Sequence, residues 1–466
     1  MSIDRRRLFT ALAAAAATSA ATPGRARGAD DAERAGGSES FRDFVTRPAI
    51  DAATLGLRPN LVEDQSATLQ RAIDRAAAAR ALLHLAPGFY RAGALRLPPF
   101  AAIAGMPGAT RILMAGGPSM LAATGSDHVS LSGLVLDGNN IPLPARHGLL
   151  HFAQAHALRV DGCEIVNAGG NGIMLEAIEG EVSGNSVSAA EAAIFSLDAR
   201  GLRIAGNTIR GAGNGGILVW RSVAGDDGTL VADNRIEDIL NRAGGSGQHG
   251  NAINVFRAGN VIVRGNSIRN AAFSAVRGNS ASNLQIVGNT CIGLGEVALY
   301  AEFGFEGALI VNNIVDGAAV GVSVTNFNDG GRLAVVQGNL IRNLTNRRPP
   351  GTDPNDGAGI GIGVEADTAV TGNVVENAPS IGIAAGWGPY LRDVSVSANV
   401  IRGADYGIAV SVAPGAGAAV IADNLISEIR RGAIVGMELK NAVTGDLSKD
   451  GAARYAQLSI GGNRVR

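Results

Sequence analysis

Apolar and polar positions alternate along most of this chain in short runs, broken by glycine-rich turns and never by a helix-length apolar period. Gly-Asn, or a near variant, recurs just before a β-branched or aliphatic pair. The recurrent residues are Asn185, Asn207, Asn234, Asn266, Asn289, Asn313, Asn339, Asn373, Asn399, Asn424 and Asn463. Successive copies lie 22 to 39 residues apart, with a floor of about 22–26. A second signal follows most of them by eight or nine residues: a small residue and then alternating apolar positions, as in GILV (216–219), ALYA (298–301) and GIAV (407–410). Each period thus holds two or three short strands of period two, which excludes a βαβ protein.

A coil of this length repeated at fixed phase predicts an all-β, single-stranded parallel β-helix in which every coil pairs with the next. Equivalent positions then stack about 4.8 Å apart. The recurrent Asn becomes an internal ladder, its side-chain amide bonding to the coils above and below. Asn also tolerates the left-handed backbone of a tight corner. Eleven ladder coils and about three less regular ones between Ala101 and Asn167 make roughly fourteen coils, a length on the order of 65 Å. Cys163 occupies the ladder phase and Cys291 lies about five coils later, roughly 24 Å away, so they cannot form a disulfide.

Upstream, DQSATLQRAIDRAAAARALL (64–83) has helical apolar spacing at Leu69, Ile73, Ala76 and Ala77, with Asp64 or Ser66 as N-cap. The segments LGLRPN, DQSATLQRAI, LHLAPGFY and LVLDGNN (134–140) together resemble the start of the pectate-lyase-like superfamily of right-handed β-helices. In that superfamily a short amphipathic helix caps the open end of the solenoid, and the resemblance implies extracellular polysaccharide work.

The N-terminus, MSIDRRRLFTALAAAAATSAATPGRARGAD, joins a basic cluster to an apolar run from Leu8 to Ala21 that is too short for a membrane span. Arg6 and Arg7 resemble the twin-arginine export pattern, although Arg5 stands where Ser or Thr is usual. The whole chain resembles a family of twin-arginine-translocated repeat proteins. The expected division is an export signal (1–28), a flexible segment (29–50), an N-terminal part with the capping helix (51–100) and the β-helix (101–466). The resemblance implies the translocase as a transient partner and a periplasmic or secreted location.

Removing five Arg and one Asp with the leader, from totals of 40 basic and 41 acidic residues, leaves a net charge of about −5. That balance excludes a general nucleic-acid binder. No second apolar run of membrane length appears, so no stable anchor is expected. Gly is 65 of 466 residues and aromatics only 4%, which suits many small turns around a thin core.

Insertions locate the candidate chemistry. Segments 240–250 and 345–357 precede the small-apolar strand of their coils, while 222–228, 325–331 and 440–457 follow it. Insertions on one side of a solenoid mark a binding face, so a groove is expected over this strand. Alternation then points Asn254, Phe256, Arg277, Asn279, Tyr300, Glu302 and Glu365 outward. His249 and Asp329 lie on flanking loops, and Trp220 and Trp387 stand at the strand ends, where a flat ring can stack on a sugar.

The leading expectation, slightly ahead of hydrolysis, is elimination or epimerisation of a uronic acid polymer, in which Arg277 would neutralise the substrate carboxylate while Tyr300 or His249 removes the C5 proton. For hydrolysis, Glu302 and Glu365 would form the carboxylate pair, roughly 10 Å apart, with Asp329 able to shorten the gap. Asn254, Phe256, Asn279, Asp329, Trp220 and Trp387 are the expected substrate contacts. A polysaccharide or oligosaccharide is the expected ligand, with no cofactor and no metal site, because no acidic run has ligand spacing. The rival is a non-catalytic envelope or surface-binding β-helix.

Overall fold

The computed structural model describes residues 48–245, 247–353 and 356–466. The expectations for the leader, including Arg6 and Arg7, lie outside the described residues. Within them the chain winds as a parallel β-solenoid of about 14 coils. Each regular coil contributes one strand to each of three parallel sheets. One coil runs through Val276–Asn279, Leu284–Val287 and Thr290–Ile292, and the next through Val297–Glu302, Glu306–Val311 and Ile314–Asp316. These are called the first, second and third sheets below.

Strict register stacks like on like. Along the first sheet Ile194, Ile217, Ile253, Val276, Leu299, Val322, Ile362, Ile383, Ile408 and Ile434 pair in turn, all fully buried. The residue before each of these is Gly or Ala, and where it is glycine, at Gly216, Gly321, Gly361, Gly382 and Gly407, the choice has a steric cause. A Cβ on Gly361 would stand 2.3 Å from the Gly382 carbonyl oxygen and 2.5 Å from Val375 Cγ1.

The Asn ladder is continuous across the insertions. Asn289 Nδ2 donates to Asn313 Oδ1 at 3.0 Å and to the Val263 carbonyl at 3.1 Å, and the backbone N–H of Asn289 donates to the same Asn313 Oδ1 at 2.9 Å. The pattern holds over a 34-residue step from Asn339 to Asn373 and a 39-residue step from Asn424 to Asn463. The left-handed corner residue is not the ladder Asn, as the sequence suggested, but the residue before it: Gly265 (φ 65°), Asp233 (φ 57°), Ala398 (φ 56°). The ladder Asn is freed for bonding, and glycine is common one position earlier because it bears that backbone at no steric cost.

Cys163 stands at the head of the ladder, its N–H donating to Asn185 Oδ1 at 2.9 Å. Both cysteines are free and buried, and burial pushes both thiols up to about 12. They fill the core and are poor nucleophiles.

The helix spans Ser66–Ala78 and buries Leu69, Ala72, Ile73, Ala76 and Ala77 against the first coils. Asp64 Oδ1 accepts the Ser66 N–H at 2.8 Å, although Gln65 occupies the cap position. Parallel pairing already begins at Ala49–Asp51, which pairs with Leu82–His84, and that strand with Ala102–Ala104. At the other end, segment 440–457 is not all loop: Asn441–Asp446 folds back antiparallel on Leu425–Glu438.

Candidate functional site

Alternation along the first sheet builds two outward columns. One runs Asn254, Arg277, Tyr300, Ser323, Gly363, Ala384, and the other Trp220, Phe256, Asn279, Glu302. The register sets Asn254, Arg277 and Tyr300 in one column and Phe256, Asn279 and Glu302 in the other, while Glu365 lies one residue beyond the paired strand. Exposure is different: Arg277, Asn279 and Glu365 are each only 9% exposed and Glu302 1%. Outward here means beneath the insertion loops, not open to solvent.

Arg277 organises the covered part. Its Nε donates to Glu302 Oε1 at 2.6 Å and its Nη2 to Glu302 Oε2 at 3.0 Å, a bidentate fork. Its Nη1 donates to Glu296 Oε2 at 3.3 Å and to the Gly247 carbonyl at 3.1 Å. The guanidinium also lies 5.1 Å from the centre of the Tyr300 ring. Arg348, from the second insertion, donates to Glu296 Oε1 at 3.0 Å and to Asp356 Oδ2 at 3.5 Å. Both loops are thus tied to one buried ion cluster. At Gly247 a side chain would collide with it, since a Cβ there would stand 1.8 Å from Arg277 Nη1.

Glu296 and Arg348 were missed in the sequence. Glu296 carried one signal, an acidic residue inside the otherwise apolar GLGEVALY. Arg348 carried none, because only the fold brings its long loop over the sheet. Burial raises the Glu296 carboxyl above its ordinary range, opposed by the charges of Arg277 and Arg348. Burial, with the Glu302 charge beside it, pushes the Tyr300 phenol far upward. Its ring stays partly exposed, and no described residue bonds its hydroxyl.

Arg277, Tyr300 and Glu302 therefore converge, supported by Asn279, whose Nδ2 donates to Glu302 Oε1 at 3.0 Å. His249 does not join them by any hydrogen bond among the described residues. It is half-buried, burial lowers its pKa, and the charge that opposes this is that of Glu191, four coils before Tyr300. Asn254 is 4% exposed and reaches the Gln248 carbonyl only at 3.5 Å.

Nor do the tryptophans form a pair. Trp220 packs edge-on between Phe195 and Phe256, with ring centres 5.0 and 5.6 Å away, and its Nε1 is buried without a partner. Trp387 is 41% exposed in a turn bridged to Tyr390, six coils further on, a separation of roughly 29 Å.

Beyond Tyr300 the face opens. Ser323, Gly363 and Ala384 continue the first column with small side chains, and nothing lies within 4 Å of where a Cβ on Gly363 would stand. Glu365 borders this floor. Its Oε2 accepts the Phe327 N–H at 2.7 Å. Burial pushes its carboxyl up to about 7, opposed by the N–H groups of Phe327 and Asn326 and reinforced by the charge of Asp329. Asp329 itself is exposed at the end of the short helix Phe327–Asp329. No group of three His, Cys, Asp or Glu suited to a metal ion occurs among the described residues. No helix among them is long and apolar enough to cross a membrane.

The family model described as "Right handed beta helix region" matches residues 116–236 and 222–401. No curated protein matches the sequence. Among solved structures, the chain is similar to PfbA, a surface adhesin of Streptococcus pneumoniae, at 16% identity and a TM-score of 0.50, covering 83% of this chain and 91% of that one. It is similar to the pre-mature gene product 12 of bacteriophage phi29 at 14% identity and a TM-score of 0.50, covering 85% and 58%. The A-module of the mannuronan C-5 epimerase AlgE6 of Azotobacter vinelandii aligns at 14% identity and a TM-score of 0.46, covering 89% and 99%. At these identities the likeness is one of fold alone.

Proposed function

The chain belongs to the right-handed β-helix family, and on that premise we propose that it acts outside the cytoplasm on a carbohydrate polymer. The polymer lies along the outward face of the first sheet, and Glu365 donates the proton that cleaves a glycosidic bond. One observation carries this reading: a carboxyl held at about 7 borders a floor of small residues, with the carboxylate of Asp329 nearby. A carboxyl that keeps its proton near neutral pH, with a second carboxyl group close by, is what acid–base cleavage of a glycoside needs. Glu365 would protonate the leaving oxygen, and Asp329 would activate water or stabilise the developing cation.

Glu302 is the weaker second carboxylate, because both its oxygens are taken by Arg277. Elimination or epimerisation at Arg277 and Tyr300 keeps one supporting observation, the unbonded Tyr300 hydroxyl. It is the second reading for two reasons: the charge of Arg277 is already shared by two carboxylates, and a phenol with a raised pKa donates protons rather than removing them.

The test is a panel of neutral and uronic polysaccharides with two readouts, reducing ends and the ultraviolet absorbance of unsaturated ends. Hydrolysis predicts reducing ends that fall away as pH rises through about 7 and vanish in Glu365→Gln. Unsaturated ends that survive in Glu365→Gln and vanish in Tyr300→Phe would replace this reading with elimination. Neither product with any polymer would leave a binding protein.

A further inference from the structure

The outward face of the third sheet changes character halfway along. Its first outward position is Ser, Thr or Arg in the five coils from Ser186 to Thr290. In the next five coils, at the same register position, it is Ile314, Leu340, Val374, Val400 and Leu425. Ile314 and Val374 are 39% exposed and Val400 38%. A run of stacked aliphatic side chains in water, where the earlier coils place hydroxyls or an arginine, marks a contact surface.

Two residues along each of four consecutive strands, and so on the same face, stands a charge whose sign alternates from coil to coil: Asp316, Arg342, Glu376, Arg402. Within the chain, Arg342 Nε donates to Asp316 Oδ2 at 2.9 Å, while Arg402 Nη2 donates to Glu428 Oε1 of the following coil at 2.7 Å and its Nη1 lies 3.7 Å from Glu376 Oε1.

We propose that this face is where two copies of the chain meet, antiparallel, about a twofold axis between the Leu340 and Val374 coils. Reversing an alternating column sets each charge against its opposite: Asp316 meets Arg402 of the second copy, and Arg342 meets Glu376 of the second copy. The same operation lays Leu340 on Val374 and Ile314 on Val400. A parallel pairing about an axis along the solenoid turns the face sideways and sets charges on the apolar column. Charge complementarity therefore selects a second copy in one orientation. Five coils give a strip only roughly 20–24 Å long. Such a strip buries less than the roughly 800 Å² per partner of a stable complex, so the dimer is weak and forms with concentration.

Sedimentation equilibrium of the full chain over a wide concentration range tests this. The mass should rise from 47.2 kDa toward twice that value. Arg342→Glu alone and Glu376→Arg alone should stay monomeric where the parent chain dimerises. Their equimolar mixture should associate again, because both cross-pairs are then opposite in sign. Val374→Thr with Val400→Thr keeps shape and register and should weaken association several-fold, with an unchanged thermal midpoint as the check on folding. A parent chain that stays monomeric, single variants that dimerise as the parent does, or a mixture that fails to associate would each overturn the proposal.

Discussion

Replacing Glu365 by Gln exchanges a titrating carboxyl for a neutral group of the same shape that still offers an oxygen to the Phe327 N–H. Burial moves this carboxyl from 4.5 to about 7. At about 1.4 kcal/mol per pH unit, that difference amounts to about 3 kcal/mol of folding free energy. The folded state holds the proton more tightly than the unfolded chain. The stabilisation is therefore complete below about 4.5 and is lost as pH rises through about 7. Gln suffers no such loss. Parent and variant should be equally stable near the ordinary carboxylate range, and the variant should gain about 1.4 kcal/mol per pH unit above it, levelling at about 3 kcal/mol. Paired urea midpoints across pH measure the difference for the cooperative unit that contains these coils. A difference that stays constant with pH would refute a raised carboxyl at this position, and the proton-donor role with it.

Asn289→Ala should cost about 1–3 kcal/mol, because it leaves the buried Asn266 N–H without its acceptor, and Asn463→Ala, at a half-exposed rung, should cost about 1 kcal/mol; comparative denaturation reads both. Arg6→Lys with Arg7→Lys should retain the chain in the cytoplasm on cell fractionation, whereas unchanged export would remove the twin-arginine reading.

The ladder, the coil number and the alternation along the small-apolar strand were legible in the sequence because each follows from a period. A stacked solenoid repeats its corner at every coil, and alternation fixes the side of a strand on which a residue lies. Exposure follows no period. Arg277 and Glu302 read as groove residues, yet they are buried because loops of irregular length fold over them, and loop conformation is set by contacts distant in the chain. Glu296 shows the limit: its partners Arg277 and Arg348 lie 19 and 52 residues away on opposite sides. The aromatic positions failed for a related reason. Trp220 and Phe256 share a column as expected, but in that column their rings pack edge-on against each other.

Two copies of VRGN, at 263–266 and 276–279, show how far one period carries. In the first, Gly265 takes the left-handed corner and Asn266 bonds to Asn289 in the interior. In the second, thirteen residues later, the strand faces the loops, and Arg277 and Asn279 both grip Glu302. A buried guanidinium must be paired, and here its partners are a sheet residue, a turn residue and a loop carbonyl. That makes Arg277 the point where the 240–250 loop is fastened directly and the 345–357 loop through Glu296 and Arg348. An arginine so engaged shapes the end of the face that Glu365 borders, three coils away. It does so by holding the cover in place, its own charge shared between Glu302 and Glu296.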